Sequence, residues 1–320
     1  MPDSSALATF SFAYSVTAPI FLMVIIGIVL RRLGVITEEF INTASKLVFN
    51  LGLPTVLFTS SATTDFSRLA DINLLLAIGL MTLIVFGLTQ LTARWHVQDS
   101  RDEGVLVQGA FRGNLVITGL AFCANAYGEH GLAIAALPVA MTVVLYNLLS
   151  VYTLNRSLNT RGGATWYQTC RGILRNPLIM AIVAGLIFNA ININLPGVVL
   201  ASANYLGQMV LPLALICIGG ALDLKQLRRV DQAALVASLW KLILSPLIAC
   251  AIAIGLGVRG ESLAIIFLLA ASPSATASFV MVQAMGGNGK LAANIIVQTT
   301  LVAMISVTAG LWLLQWSGLV

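Results

Sequence analysis

Charge is scarce in this chain. Lys, Arg, Asp and Glu together make up 9% of its 320 residues, against about 25% in an ordinary soluble domain. No long polar stretch interrupts the apolar sequence, so no soluble domain is hidden in it, and the chain reads as one integral membrane unit. Cysteine points to neither a metal site nor a disulfide framework. Cys123, Cys170, Cys217 and Cys250 stand apart, with no Cys-x-x-Cys pair. The two histidines, His96 and His130, are predicted on opposite sides of the membrane and cannot share a site. A Gly-rich phosphate loop ending in Gly-Lys-Ser/Thr is missing, which disfavours a primary pump. With no metal cluster, no nucleophile paired with a base and no paired acids, the sequence reads as a non-enzyme without cofactor or metal.

What the chain has in abundance is apolar sequence, at 58% of residues. Runs of about 20 apolar residues recur, each long enough to cross a hydrocarbon core of roughly 30 Å. Ten spans are predicted near 12–31, 41–63, 72–93, 104–126, 131–155, 173–192, 199–222, 232–257, 261–285 and 290–315. The first ten residues contain Asp3 and no Lys or Arg, and the basic pair Arg31-Arg32 follows the first apolar run. That order describes a first span entering from outside rather than a cleaved signal.

With the N-terminus outside, the cytoplasmic loops and span ends hold Arg31, Arg32, Lys46, Arg94, Arg101, Arg156, Arg161, Arg171, Arg175, Lys225, Arg228, Arg229 and Lys290. The outer loops hold only Arg68 and Arg259. This is a positive-inside pattern, and it places both termini outside the cytoplasm. The formal net charge of +5 therefore belongs to loops facing the cytoplasm, with the lipid bilayer and not nucleic acid as partner.

Set against itself at an offset of 158, the sequence repeats without a gap from residue 19 to residue 131. Pro19 falls on Pro177, Gly27 on Gly185, Leu53-Pro54 on Leu211-Pro212, Asp65 on Asp223, Glu103 on Glu261, Gly128 on Gly286 and Gly131 on Gly289. Residues 1–158 and 159–320 then form two halves of five spans each. An odd number inverts the second half, as in many secondary transporters. In that plan the ligand binds near the midplane, where corresponding helices are broken.

Two breaks are predicted. Span four carries Arg112-Gly113-Asn114, span nine carries Ser272-Pro273-Ser274, and Asn114 matches Ser272 at the same offset. Asn114 and Ser272 are suitable N-caps, and Pro273 suits the first helical position. Each second half-helix would then start inside the membrane with free N–H groups and a positive dipole end, a fitting seat for a carboxylate. Arg112 and Lys241 are expected about 14 Å deep, and no Asp or Glu falls in the middle of a span. Buried cations without a buried acid favour an anionic ligand. The same absence removes an acidic proton relay. Sodium remains open through Asn50, Thr118, Thr276, Gln283, Asn294 and Gln298, the polar residues that could line such a site.

In the order and spacing of these segments, the chain resembles the auxin efflux carrier family, which includes plant PIN carriers and bacterial permeases described for malate and malonate. The segments are Lys46 to Pro54, Arg112-Gly113-Asn114 with Gly119, Asn176-Pro177 with Gly185, Leu211-Pro212-Leu213-Ala214 through Gly219-Gly220, Lys241 to Pro246, and Ala271-Ser272-Pro273. The resemblance implies an all-α fold of ten helices in a five-plus-five inverted repeat, related to bile-acid sodium symporters and sodium/proton antiporters. Helices four and nine would cross at unwound centres, and helices 1, 2, 6 and 7 would form a scaffold for a transport domain of helices 3–5 and 8–10. It also implies a carboxylate bound near the crossing, at Asn114 and Ser272-Pro273-Ser274. The plant carriers have Pro where this chain has Gly113, which permits a break without forcing one. The expected activity is secondary transport of small mono- or dicarboxylates, with proton or sodium coupling and a homodimer left open. The alternatives are a sodium-coupled organic-anion symporter and a non-transporting sensor or channel.

Overall fold

In an apolar medium every main-chain N–H and C=O must find its partner within the protein, and a helix supplies partners within one segment. The computed structural model describes residues 3–63, 72–158, 177–191, 193, 195–222 and 231–320. Among them the chain is almost entirely helical, with no strand and one isolated bridge between extended residues. Six helical stretches are long and apolar enough to cross a membrane: Ala13–Arg32, Ile72–Trp95, Leu115–Leu158, Gly197–Ala221, Gln232–Gly255 and Gly289–Trp316. The protein is therefore an all-α membrane protein.

Helix α1 runs Asp3–Arg32. α2 (Glu38–Leu47) starts at Thr37, whose hydroxyl accepts the Phe40 N–H, and passes through a π turn, Val48–Gly52, into α3 (Leu53–Thr63). α4 is Ile72–Thr92 and α5 is Glu103–Phe111. A second π turn, Leu115–Gly119, leads into α6 (Leu120–Leu158), which is kinked at a non-helical Gly128 (φ 59°, ψ −144°). α7 is Pro177–Ala190 and α8 is Gly197–Ala221. α9 (Gln232–Leu239), a third π turn (Trp240–Leu244) and α10 (Ser245–Gly255) form one continuous path. α11 (Gly260–Ala270), α12 (Thr276–Ala284) and α13 (Gly289–Trp316) complete the described chain.

Burial is arranged for lipid rather than water. Large apolar side chains such as Leu22, Ile25, Leu80, Leu83, Met209 and Ile305 face outward, where hydrocarbon solvates them. The two short helices α5 and α11 are enclosed instead. Gly104–Phe111 and Leu263–Ala270 are buried without interruption.

Two pairings tie the long helices together: α1 lies along α8, and α3 lies along α7. Small residues bring the backbones close. A Cβ at Gly27 would overlap the Ile216 main chain, and one at Gly219 would overlap Val24 O. A Cβ at Gly185 on α7 would sit 2.6 Å from Phe58 O on α3. Gly27 and Gly185 are matched at the 158 offset, and each makes the close approach of its own helix pair. Gly128 and Gly286 are matched as well, and both have positive φ (59° and 76°), a conformation that glycine alone adopts without strain.

Several expectations fall outside the described residues. These are the loop charges Arg68, Arg161, Arg171, Arg175, Lys225, Arg228 and Arg229, the acids Asp65, Asp71 and Asp223, together with Cys170 and Asn176.

Candidate functional site

α5 ends inside the core. The Arg112 N–H still bonds Gln108 O at 3.0 Å, but Arg112 itself is extended (φ −83°, ψ 95°). The chain then runs through Gly113 to Asn114 and re-enters helix through the π turn. Thr118 and Gly119 donate their N–H groups to Asn114 O at 3.1 and 2.9 Å. α11 ends in the same region, with the Ala271 N–H on Phe267 O at 2.8 Å. The extended stretch that follows pairs antiparallel with the first one, through a bridge between Gly113 and Ser274. The Asn114 N–H donates to Pro273 O at 2.7 Å, and the Ala275 N–H donates to Arg112 O at 3.0 Å. Two interrupted helices thus cross at their breaks, and each break satisfies main-chain groups of the other.

The caps differ from the sequence expectation. Asn114 occupies the N-cap position, yet its side chain makes no capping bond and its carbonyl does the work. Ser272 does not cap forward, and Pro273 is not the first helical residue. The Ser272 Oγ donates back to Leu269 O at 2.7 Å, closing α11, and α12 begins only at Thr276. The reason is the bridge: residues 273–275 must stay extended to pair with 112–114. Proline contributes a carbonyl there, and its lack of an N–H costs nothing.

The four helix ends at the crossing are treated unequally. C-terminal ends carry orphan carbonyls and negative potential. Here they are satisfied by side chains. The Ser274 Oγ donates to Gly109 O at 2.6 Å, the Ser245 Oγ to Ala110 O at 3.5 Å, and the Lys241 Nζ to Ala270 O at 2.7 Å. The positive ends receive no such treatment. The N–H groups of Val116 and Ile117, and those of Thr276 and Ala277, have no hydrogen-bond acceptor among the described residues. The described acids near these helices, Glu103 and Glu261, stand in the first turns of α5 and α11, at the far ends.

Lys241 is fully buried in the third π turn. Its head lies against Gly113, where a Cβ would come 2.9 Å from Nζ and 2.6 Å from the Ser272 Oγ. That contact gives a steric reason for Gly113 in place of the plant carriers' proline. Arg112 faces elsewhere. Its Nη1 donates to the Ser150 Oγ (3.1 Å) and the Met281 Sδ (3.3 Å), and its Nη2 to the Asn147 Oδ1 (2.9 Å). Successive side chains of an extended segment alternate in direction, so Arg112 leaves the crossing away from the face that Gly113 turns to Lys241. The two cations share no partner.

Among the remaining candidates, Asn114 and Thr118 are buried, and neither side chain makes a hydrogen bond among the described residues. Thr276 is half-buried at the start of α12, and Asn50 is exposed in the first π turn. The Gln298 Nε2 donates to the Asn294 Oδ1 at 3.3 Å, and the Gln298 Oε1 accepts from the Ser238 Oγ at 3.3 Å, which links α13 to α9. The side chain of Gln283 lies outside the described residues.

Sequence reasoning missed Thr299, whose Oγ1 accepts the Ser274 N–H at 3.1 Å. It also missed Ser245 and the Arg112 partners Asn147, Ser150 and Met281. A lone polar residue in an apolar span is a weak signal, since most such residues only join helices.

Helices of spanning length around a buried crossing of two broken ones define a multi-pass membrane protein of the broken-helix kind. The chain belongs to the membrane transport protein family, whose model matches residues 12–311, and this is the auxin efflux carrier group that its motifs resemble. It is 28% identical over 291 residues to an uncharacterized transporter of Methanothermobacter thermautotrophicus, covering 90% of this chain and 93% of that one. It is 24% identical over 305 residues to an uncharacterized transporter of Methanocaldococcus jannaschii, covering 92% and 96%. A Rhizobium meliloti protein provisionally named as a malonate transporter is 25% identical over 307 residues, covering 93% and 94%.

Proposed function

We propose that the protein is a secondary active transporter that moves small mono- or dicarboxylates by alternating access. The observation that carries this reading is the unequal treatment of the crossing. Its negative helix ends are satisfied by Lys241 and two serines, while its positive ends have neither acid nor acceptor among the described residues. A carboxylate supplies both the charge and the lone pairs that those ends require. It would sit beside Asn114 and the Ser272-Pro273-Ser274 segment, with the positive potential of Arg112 or Lys241 completing the charge balance. A substrate bearing carboxylates also accords with the provisional malonate name of the Rhizobium meliloti relative.

The motion we propose uses ten spans in two inverted halves, 1–158 and 159–320. The matched glycines support it. A two-fold operation exchanging the halves turns the α1–α8 pairing into the α7–α3 pairing, and Gly27 and Gly185 exchange places in it. Helices 1, 2, 6 and 7 would be the scaffold and the remaining six the moving domain, in a bacterial inner membrane with both termini outside.

Counterflow tests the reading. Proteoliposomes preloaded with malonate should take up labelled malonate to a transient excess, with saturable kinetics. Asn114→Ala should raise the half-saturating concentration about tenfold, the cost of one hydrogen bond to a charged group. Arg32→Ala, a substitution in an exposed position, should change nothing. A linear flux that never saturates would indicate a pore. No flux with any small mono- or dicarboxylate would remove the transport assignment.

A further inference from the structure

A guanidinium carries five N–H donors and no acceptor. In Arg112 three of the five are engaged, by Ser150, Met281 and Asn147. The Nε–H and one Nη2–H are left over. All three partners are neutral, and no described acid forms an ion pair with this residue. The sulfur partner is the least suited of them, because a thioether is a weak acceptor. The Met281 Sδ nevertheless receives two donors, Arg112 and the Gln108 Nε2, both at 3.3 Å.

On α5 and α12, two further polar atoms are buried without a partner. They are the Gln108 Oε1, one turn before Arg112 on α5, and the Ser278 Oγ, one turn before Met281 on α12. A full positive charge, spare donors and an overused weak acceptor thus occupy one enclosed place between α5, α6 and α12, with an unpartnered hydroxyl one turn away on α12. All of these but the Gln108 oxygen, which as placed lacks a donor, want the same thing, a compact acceptor carrying one negative charge. A second negative charge would find no second cation there among the described residues, since the Lys241 head lies on the other face of the crossing.

We propose that Arg112 is the centre of a second anion seat, built by α5, α6 and α12 and separate from the half-helix ends, which takes a halide or a single carboxylate group. The anion accepts from the spare Nε–H and Nη2–H and from the Ser278 hydroxyl, and it displaces Met281 sulfur as the acceptor of Nη1. Turning the Gln108 amide over exchanges its unpaired oxygen for its NH2 and adds a donor. The carboxylate use of the seat rests on the transport reading above; the halide use does not.

The test is thermal unfolding of the purified full-length protein in detergent. It is titrated with sodium bromide and, separately, with sodium malonate, while sodium isethionate holds the ionic strength constant. Bromide should raise the unfolding temperature of the wild type saturably. Arg112→Gln should need about tenfold more bromide, from the loss of a charged hydrogen-bonding partner. Met281→Leu conserves volume and removes the competing acceptor, so it should reach half-saturation at a lower bromide concentration. That gain is open to measurement even if Arg112→Gln folds poorly. Half-saturation unchanged in both variants overturns the seat, as does a wild type that neither anion stabilises. A bromide effect without any malonate effect keeps the seat and removes malonate from the transport reading. A malonate effect that survives Arg112→Gln, with no bromide effect in the wild type, removes the seat and leaves the transport reading standing.

Discussion

Replacing Gly113 by Val is expected to stop counterflow and to lower the unfolding temperature of the purified protein. The added Cβ would come 2.6 Å from the Ser272 Oγ and 2.9 Å from the Lys241 Nζ. Both are side-chain ends and can give way, but each is already committed. Ser272 closes α11 on Leu269 O, and Lys241 holds Ala270 O at 2.7 Å. Overpacking a full core costs about 1–3 kcal/mol. Pulling a buried ammonium from its only hydrogen-bond partner among the described residues adds on the order of 3–5 kcal/mol, because the charge is then uncompensated. Gly87 provides the control, since a Cβ there meets nothing within 4 Å. Gly87→Val should leave unfolding and counterflow close to wild type. Equal behaviour of the two variants would show that the Gly113–Lys241 contact does not hold the crossing together.

Gly219→Val should damage the protein as severely, by another route. Its Cβ would overlap Val24 O, and the Gly27 α-carbon is 3.1 Å from the same point. Here the obstacle is main chain on both sides, which cannot swing away, so α1 and α8 must separate. In a bilayer such a pair is held by close packing and not by a hydrophobic drive, because lipid solvates apolar side chains as well as protein does. Losing the close approach therefore removes most of what joins them. Gly27→Val should behave in the same way, since its own Cβ would overlap the Ile216 main chain. Gly207→Val is the mild comparison, as its Cβ meets only the Val56 Cγ2, at 3.2 Å. The readout is the fraction of monodisperse protein recovered in detergent and its unfolding temperature. Wild-type recovery of Gly219→Val would contradict the packing described for α1 and α8.

The breaks were legible in the sequence because their residue types have few alternatives. Gly-Asn and Ser-Pro-Ser in the middle of apolar spans interrupt a helix for local reasons. Arg112 and Lys241 stood out because charges are rare there. Gly128 and Gly286 were legible as a matched pair, and both carry the positive φ that requires glycine. The start of α12 was not legible. Serine can cap forward or bond back to the preceding turn, and the choice at Ser272 is made by the pairing of 273–275 with 112–114, a contact across more than 150 residues. The direction of the two cations was hidden for the same reason. Lys241 finds its carbonyl 29 positions away, and Arg112 finds Asn147 and Met281 on two other helices. The three π turns leave no mark in the sequence that we can name.

A cryo-electron microscopy map of the purified protein at saturating malonate tests the central claim most directly. The account predicts density for a carboxylate within about 3 Å of the first N–H groups of the Leu115–Gly119 turn or of α12, beside the Asn114 amide. A carboxylate seated elsewhere, with those N–H groups turned onto protein acceptors, would contradict it.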